Sequence, residues 1–79
     1  MNRQDIEKKV NEILVDKLDV ELGMVKDEAR FEEDLGGDSL DFMELVMEFE
    51  KEFGISINDY DAYKCETVKD MYDLVEQAL

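Results

Sequence analysis

Apolar residues recur at helical spacing in three separate segments of this 79-residue chain. In the first, residues 4–18, they fall at i, i+4, i+7, i+8 and i+12, which places them on one face of a helix. The second segment covers residues 39–53, with Gly54 as a plausible stop, and the last covers residues 67–79. A short helix is expected over residues 58–63. The pattern predicts an all-α fold for residues 1–79, a small four-helix bundle of three longer helices and one short helix.

The connection between the first two helices is unusually long for a chain of this size. It spans residues 19–37 and contains Gly23, Gly36 and Gly37. A structureless loop of about 19 residues is uncommon in a compact domain. We therefore expect its apolar residues to fix it across the core, and residues 32–35 could form a short helical turn. These apolar residues are Val20, Leu22, Val25, Phe31 and Leu35.

Capping residues mark the starts of the second and last long helices. Asp38 is a good N-cap for the second, with Asp41 three residues on, and Thr67 with Asp70 resembles a capping box. If Asp38 is the cap, the hydroxyl of Ser39 stays free at the helix start. Without a base nearby, Ser39 is a poor self-activated nucleophile. It therefore looks like an attachment point on which another enzyme acts.

The charge and residue counts exclude several kinds of function. The chain has 23 acidic and 9 basic residues, a formal net charge of −14, no His and one Cys. His-dependent catalytic triads, ordinary zinc sites and internal disulfides are therefore excluded. The negative charge argues against nucleic acid and anionic membranes as partners. Without an apolar leader or a run long enough to span a bilayer, the chain is expected to be cytoplasmic. Asp59 and Asp61 do not continue into a calcium-binding loop, and no metal site is expected.

The second helix carries two apolar stripes. Its predicted core face holds Phe42, Leu45, Val46, Phe49 and Phe53. Leu40, Met43 and Met47 fall roughly opposite, between Asp41, Glu44 and Glu48 on one side and Glu50 on the other. This second stripe could be ordinary exposed apolar surface, or could pack under the long loop. Two of its three residues are Met, which suits a surface for several partners, and the acidic rim would steer basic partners to it.

The run Phe-Glu-Glu-Asp-Leu-Gly-Gly-Asp-Ser-Leu-Asp at residues 31–41 closely resembles the attachment region of acyl carrier proteins. Asp-Ser-Leu alone is a weak signal. Asp-Leu-Gly-x-Asp-Ser-Leu before an acidic amphipathic helix, in a chain of this size and charge, is a strong one. The resemblance extends over essentially the whole chain, including residues 44–47 and 52–53, Ile57, and Thr67 with Val68.

The resemblance implies a carrier rather than an enzyme. A phosphopantetheinyl transferase would attach 4′-phosphopantetheine from coenzyme A to Ser39, beside Asp38. The terminal thiol would hold acyl groups as thioesters for an acyl transferase, a ketosynthase and other enzymes of fatty-acid or related biosynthesis. The carrier would be a monomer. Partner enzymes would dock on Asp38, Leu40, Asp41, Met43, Glu44, Met47 and Glu48. The acyl cavity would be lined by Phe31, Phe42, Leu45, Phe49, Ile57, Ala62 and Cys65.

Some residues depart from the usual pattern of this family. Gly37 stands where fatty-acid carriers usually have Ala, and Phe42 and Cys65 replace residues that are more often β-branched. Phe42 could narrow the cavity, or could simply be core packing, and Cys65 is expected to be a small buried hydrophobe. A specialised carrier of an aminoacyl, polyketide or unusual acyl unit stays open. An acidic interaction module, in which Ser39 is only a cap, is the alternative from another class.

Overall fold

The computed structural model describes all 79 residues and contains four α-helices. They are α1 (Arg3–Leu18), α2 (Ser39–Phe53), α3 (Asp59–Tyr63) and α4 (Val68–Ala78). The predicted all-α fold of three longer helices and one short helix is confirmed, and each helix boundary lies within one residue of its predicted position. None of the helices combines the length and the apolar character needed to span a bilayer.

The hydrophobic core lies between the three longer helices, with α1 packed against both α2 and α4. Each helix contributes buried residues three or four positions apart, as an amphipathic helix should. From α1 these are Ile6, Val10 and Leu14; from α2, Leu45, Val46 and Phe49; from α4, Val68, Met71, Tyr72, Leu74 and Val75. At the edge of the core, the Tyr72 hydroxyl donates a hydrogen bond to Asn11 Oδ1 at 2.5 Å.

The long first connection is tied to the core, as its apolar residues predict. Val25, Ala29, Phe31 and Leu35 are buried, and Val20 is half-buried against the core. Leu22 is 62% exposed, so the prediction is wrong for that residue. The predicted helical turn at residues 32–35 forms as a single hydrogen-bonded turn that does not extend into a helix: the amides of Asp34 and Leu35 both donate to the carbonyl of Arg30, at 2.9 and 3.1 Å. A 3₁₀ turn, Leu22–Met24, also lies in this connection and was not predicted.

One antiparallel bridge joins the connection to the start of α4. It pairs Arg30 with Thr67. The Phe31 amide donates to the Glu66 carbonyl at 2.9 Å, and the Val68 amide donates to the Ala29 carbonyl at 3.0 Å. The backbone of Phe31 is therefore held against the α3–α4 junction, only a few residues before the start of α2.

Arg3 links the N-terminus of α1 to α4. Its guanidinium lies 2.8 Å from Asp73, 2.9 Å from Glu76 and 3.2 Å from Glu7. The hydrogen bond from Arg3 holds the pKa of Asp73 below its usual value. One of the chain's few cations, Arg3, thus forms ion pairs with three of its many carboxylates.

Candidate functional site

Ser39 is the first residue of α2, and its side chain is exposed. The helix is capped by its neighbour: Asp38 Oδ1 accepts a hydrogen bond from the Asp41 amide at 2.9 Å, and Asp41 Oδ2 accepts one from the Asp38 amide at 3.1 Å. The predicted cap is confirmed as a reciprocal capping box. The Ser39 hydroxyl takes no part in it and is left available for chemistry.

The start of α2 also fits a phosphate ester. The first amides of a helix have no partner within the helix and favour negative charge. At this end the capping box satisfies the amide of Asp41, whereas those of Ser39 and Leu40 donate to no group of the protein. A phosphate on the Ser39 oxygen would lie beside these two donors.

Two glycines with different roles lead into Ser39. Gly36 has φ 73°, a left-handed conformation that favours glycine. Gly37 is buried, its amide donates to the Phe31 carbonyl at 3.0 Å, and a Cβ built on it would overlap the ring of Phe31. The pair therefore fixes the approach to Ser39 instead of serving as a flexible spacer.

The second apolar stripe of α2 faces solvent. Leu40, Met43 and Met47 are 65, 63 and 64% exposed, so the stripe does not pack under the long loop. The carboxylates of the predicted acidic rim differ in whether they already have a partner within the protein. Asp38 and Asp41 form the capping box, Glu44 pairs with Lys17 at 3.3 Å, and Glu48 forms no ion pair. Glu48 is thus the acid of this rim most available to a partner.

A groove of about 540 Å³ opens beside Ser39, between α2, α3 and the loop around Phe31. Four of the seven predicted cavity residues line it: Phe31, Phe42, Ala62 and Cys65. Leu45, Phe49 and Ile57 do not line it and are buried in the core. Helical periodicity placed Leu45 and Phe49 on the core face of α2, but it does not show how deep each side chain lies, and Ile57 was expected in the cavity only from the family resemblance.

Sequence reasoning missed several lining residues. Val46, Met43 and Met47 border the groove from α2, although their spacing assigned them only to the core or to the outer stripe. Tyr63 borders it from α3 and is 88% exposed. Glu50 also lines the groove, and its carboxylate accepts a hydrogen bond from the Ile57 amide at 2.9 Å. The lining of the groove is therefore partly apolar and partly acidic.

The thiol of Cys65 lines the groove but has low nucleophilic reactivity. Burial raises the pKa of Cys65 to about 12, and the nearby carboxylates of Asp70, Asp73 and Asp61 act in the same direction. Its Sγ also lies 3.5 Å from the carbonyl of Asp70, as a weak donor. Since the thiolate is the reactive form, this residue is a poor nucleophile at neutral pH.

Comparison with known proteins agrees with this geometry. Residues 8–75 match the family model described as "Phosphopantetheine attachment site". Two curated acyl carrier proteins, from two strains of Porphyromonas gingivalis, are each 52% identical to this chain over 75 residues, which is 95% of this chain and 96% of theirs.

Solved structures show the same likeness. An acyl carrier protein from Enterococcus faecalis, whose study concerns its high thermal stability, has a TM-score of 0.83 at 38% identity, with both chains fully covered. One from Thermotoga maritima has a TM-score of 0.81 at 40% identity, covering 99% of this chain and 91% of that one. The chain therefore belongs to the acyl carrier proteins, non-catalytic carriers on which 4′-phosphopantetheine is covalently attached.

Proposed function

We propose that Ser39 bears the 4′-phosphopantetheine arm and that the protein carries acyl groups on it as thioesters. The observation that carries this proposal is the free, exposed hydroxyl of Ser39 at the start of α2, beside a helix cap supplied entirely by Asp38 and Asp41. The chain has one other serine, Ser56, which is not at a helix start. The arm supplies the thiol, and the protein presents it.

The attachment needs a separate enzyme and coenzyme A. The Ser39 oxygen would attack the phosphorus that carries the pantetheine, the pyrophosphate bond of coenzyme A would break, and adenosine 3′,5′-bisphosphate would leave. The hydroxyl proton would go to a base of the transferase, because the chain has no His and the neighbouring carboxylates of Asp38 and Asp41 are engaged in the capping box. The negative ester formed would be stabilised by the amides of Ser39 and Leu40.

Partner enzymes would dock on the exposed stripe of α2. Leu40, Met43 and Met47 supply apolar contact, and Asp38, Asp41, Glu44 and Glu48 supply the charge. Rim charges act mainly on encounter rate and orientation, so partners would be enzymes with basic patches around an apolar contact. These partners are a phosphopantetheinyl transferase and the acyl transferase, ketosynthase and related enzymes of fatty-acid or allied biosynthesis. We further propose that the carrier acts in the cytoplasm as a monomer.

The groove beside Ser39 would shelter the cargo. Phe31, Phe42, Ala62 and Cys65 give it an apolar floor within reach of the attachment point, and Leu45, Phe49 and Ile57 form the core behind it. The high pKa of Cys65 matters here, because a thiolate beside the thioester would attack its carbonyl carbon and take the acyl group from the arm. The protonated thiol of Cys65 does not react with the thioester, so the acyl group stays on the arm.

Intact mass measurement tests the attachment. The protein is incubated with coenzyme A and a promiscuous phosphopantetheinyl transferase, alongside Ser39→Ala and the matched control Ser56→Ala. We expect the mass of one phosphopantetheine to be added to the wild type and to Ser56→Ala, and none to Ser39→Ala. An unmodified but folded wild type would refute the carrier function and favour an acidic interaction module.

A further inference from the structure

We propose that the aromatic pair Phe31–Phe42 sets the size of the cargo, by closing the core to acyl chains and confining them to the surface groove. This inference deepens the proposed function and rests on it. The two rings meet edge to face, with centroids 5.4 Å apart and an interplanar angle of 76°. Both side chains line the groove and both pack against the hydrophobic core, so the pair stands at the boundary between the two.

Behind the pair lie two fully buried side chains. Leu45 and Phe49 contribute nothing to the lining of the groove. They lie three and seven residues after Phe42, on the same face of α2. A chain that entered the core from the groove would therefore have to displace one of the two rings.

The Phe31 ring cannot move towards Gly37. On one side its ring is packed against the backbone of Gly37, where not even a methyl group fits. Its amide is bonded to the Glu66 carbonyl at 2.9 Å, and its carbonyl accepts from the Gly37 amide at 3.0 Å. Phe42 is only half-buried, so it is the ring that can be altered with the smaller loss of core packing.

The apolar floor of the groove is also short. Phe42 and Val46 are four residues apart on α2, which is about 6 Å along the helix axis. Glu50 follows one turn later, with its carboxylate fixed by the Ile57 amide at 2.9 Å. An apolar chain reaching that carboxylate would strip water from it at a cost. The floor that Phe42 and Val46 supply before Glu50 therefore covers an acyl segment of a few carbons, and carbons beyond it lie in the wider, open part of the groove.

Thioester protection measures how much of the chain is sheltered. Acetyl, butyryl, hexanoyl and dodecanoyl groups are loaded from their coenzyme A thioesters by the promiscuous transferase, and intact mass confirms each product. The rate of cleavage by hydroxylamine is then compared with that of the corresponding free acyl-pantetheine. For the wild type we expect protection to rise up to hexanoyl and then to level off. If the protection of the wild-type thioester instead keeps rising up to dodecanoyl, the proposal is overturned by the wild type alone.

Phe42→Leu and Phe53→Leu form the matched pair of variants. Both phenylalanines lie on α2, are half-buried and form an edge-to-face contact, but Phe53 pairs with Phe49 and does not line the groove. In Phe42→Leu we expect dodecanoyl protection to increase by roughly fourfold for each methylene that enters the core. Phe53→Leu should keep the wild-type profile.

A second readout follows the core itself. The methyl NMR signals of Leu45 should be unchanged on loading wild type with dodecanoyl and should shift in Phe42→Leu. Identical behaviour of the two variants, by protection and by NMR, would overturn the proposal. Failure of Ser39 to accept any acyl-phosphopantetheine would instead refute the proposed function, and the inference would fall with it.

Discussion

At Gly37 the local structure depends on the absence of a single methyl group. Its φ is not positive, so backbone strain does not require glycine there, in contrast to Gly36 with φ 73°. The requirement is space, because a Cβ on Gly37 would overlap the Phe31 ring. This accounts for Gly37 standing where the family usually has Ala, because Ala at this position is incompatible with the present position of the Phe31 ring.

Gly37→Ala should therefore destabilise the protein. Overpacking of a well-packed site typically costs about 1–3 kcal/mol. Gly23→Ala is the matched control, since Gly23 has no positive φ and a Cβ added there would meet no atom within 4 Å. It should change the free energy of unfolding little. Urea unfolding of both variants measures this, and equal midpoints for the two would contradict the packing argument.

Cys65 should react slowly despite lining an open groove. With its pKa raised from 9.0 to about 12, the fraction present as thiolate near pH 8 falls on the order of a thousandfold. We expect alkylation by iodoacetamide at pH 8 to be at least roughly tenfold slower in the folded protein than in denaturant. Comparable rates in the two states would show that the thiol is neither buried nor protonated as described.

Among the helices, α2 begins with a turn that stabilises the helix and that we also propose as part of the docking surface. Asp38 supplies a carboxylate oxygen to the Asp41 amide, and it is also proposed to attract partners. Asp38→Ala should lower the free energy of unfolding by about 1 kcal/mol, whereas Asp38→Asn should preserve it because Asn caps about as well as Asp. Thermal unfolding separates the two variants.

The same pair of variants isolates the role of the charge. Asp38→Asn should slow modification by the transferase at low salt while the helix stays intact, since it removes a charge and keeps the cap. Unchanged modification by Asp38→Asn at low salt would show that the Asp38 charge has no part in docking.

The helices could be predicted from sequence because each carries its own periodicity and caps, all within a few residues of chain. The bridge between Arg30 and Thr67 could not, because it depends on contact between segments 37 residues apart in sequence. The lining of the groove could be predicted only in part, because it too depends on contacts between segments that are distant in sequence. Spacing assigned Phe42 and Leu45 to one face, but only the packing of α3 and the loop against that face shows that Phe42 borders the groove and Leu45 does not.

For the whole molecule, the net charge of −14 opposes the compact state. The acidic stretch of residues 38–61 contributes eight acids and one base, and it surrounds the proposed docking stripe. Few of these carboxylates are paired, Glu44 with Lys17 being one exception. The charge that we propose for partner recognition would thus be kept at some cost to folding.

Acid should weaken the fold through two carboxylates whose pKa is lowered in the folded state. Asp73 has its pKa lowered by the hydrogen bond from Arg3. Burial opposes the shift at Asp70, but hydrogen bonds from the amides of Glu66 and Thr67 lower its pKa overall. Their stabilisation is present above their unfolded value of 3.8 and is lost as pH falls through their folded values.

Calorimetric melting at neutral and acidic pH, at low and moderate sodium chloride, measures this loss and the effect of repulsion among the carboxylates. Salt should raise the melting temperature at pH 7, because it screens that repulsion. A melting temperature that is flat with salt at pH 7 would show that self-repulsion is not a major destabilising effect.

The most direct measurement of the central claim locates the phosphopantetheine within the chain. Cleavage after Arg30 and Lys51 releases residues 31–51, with Ser39 as the only serine, and cleavage after Lys51 and Lys64 releases residues 52–64, with Ser56. After treatment with coenzyme A and a phosphopantetheinyl transferase, mass spectrometry of these peptides should find the added group on residues 31–51 and fragment ions should assign it to Ser39. Its presence on residues 52–64, or on neither peptide of a folded and treated protein, would contradict the account.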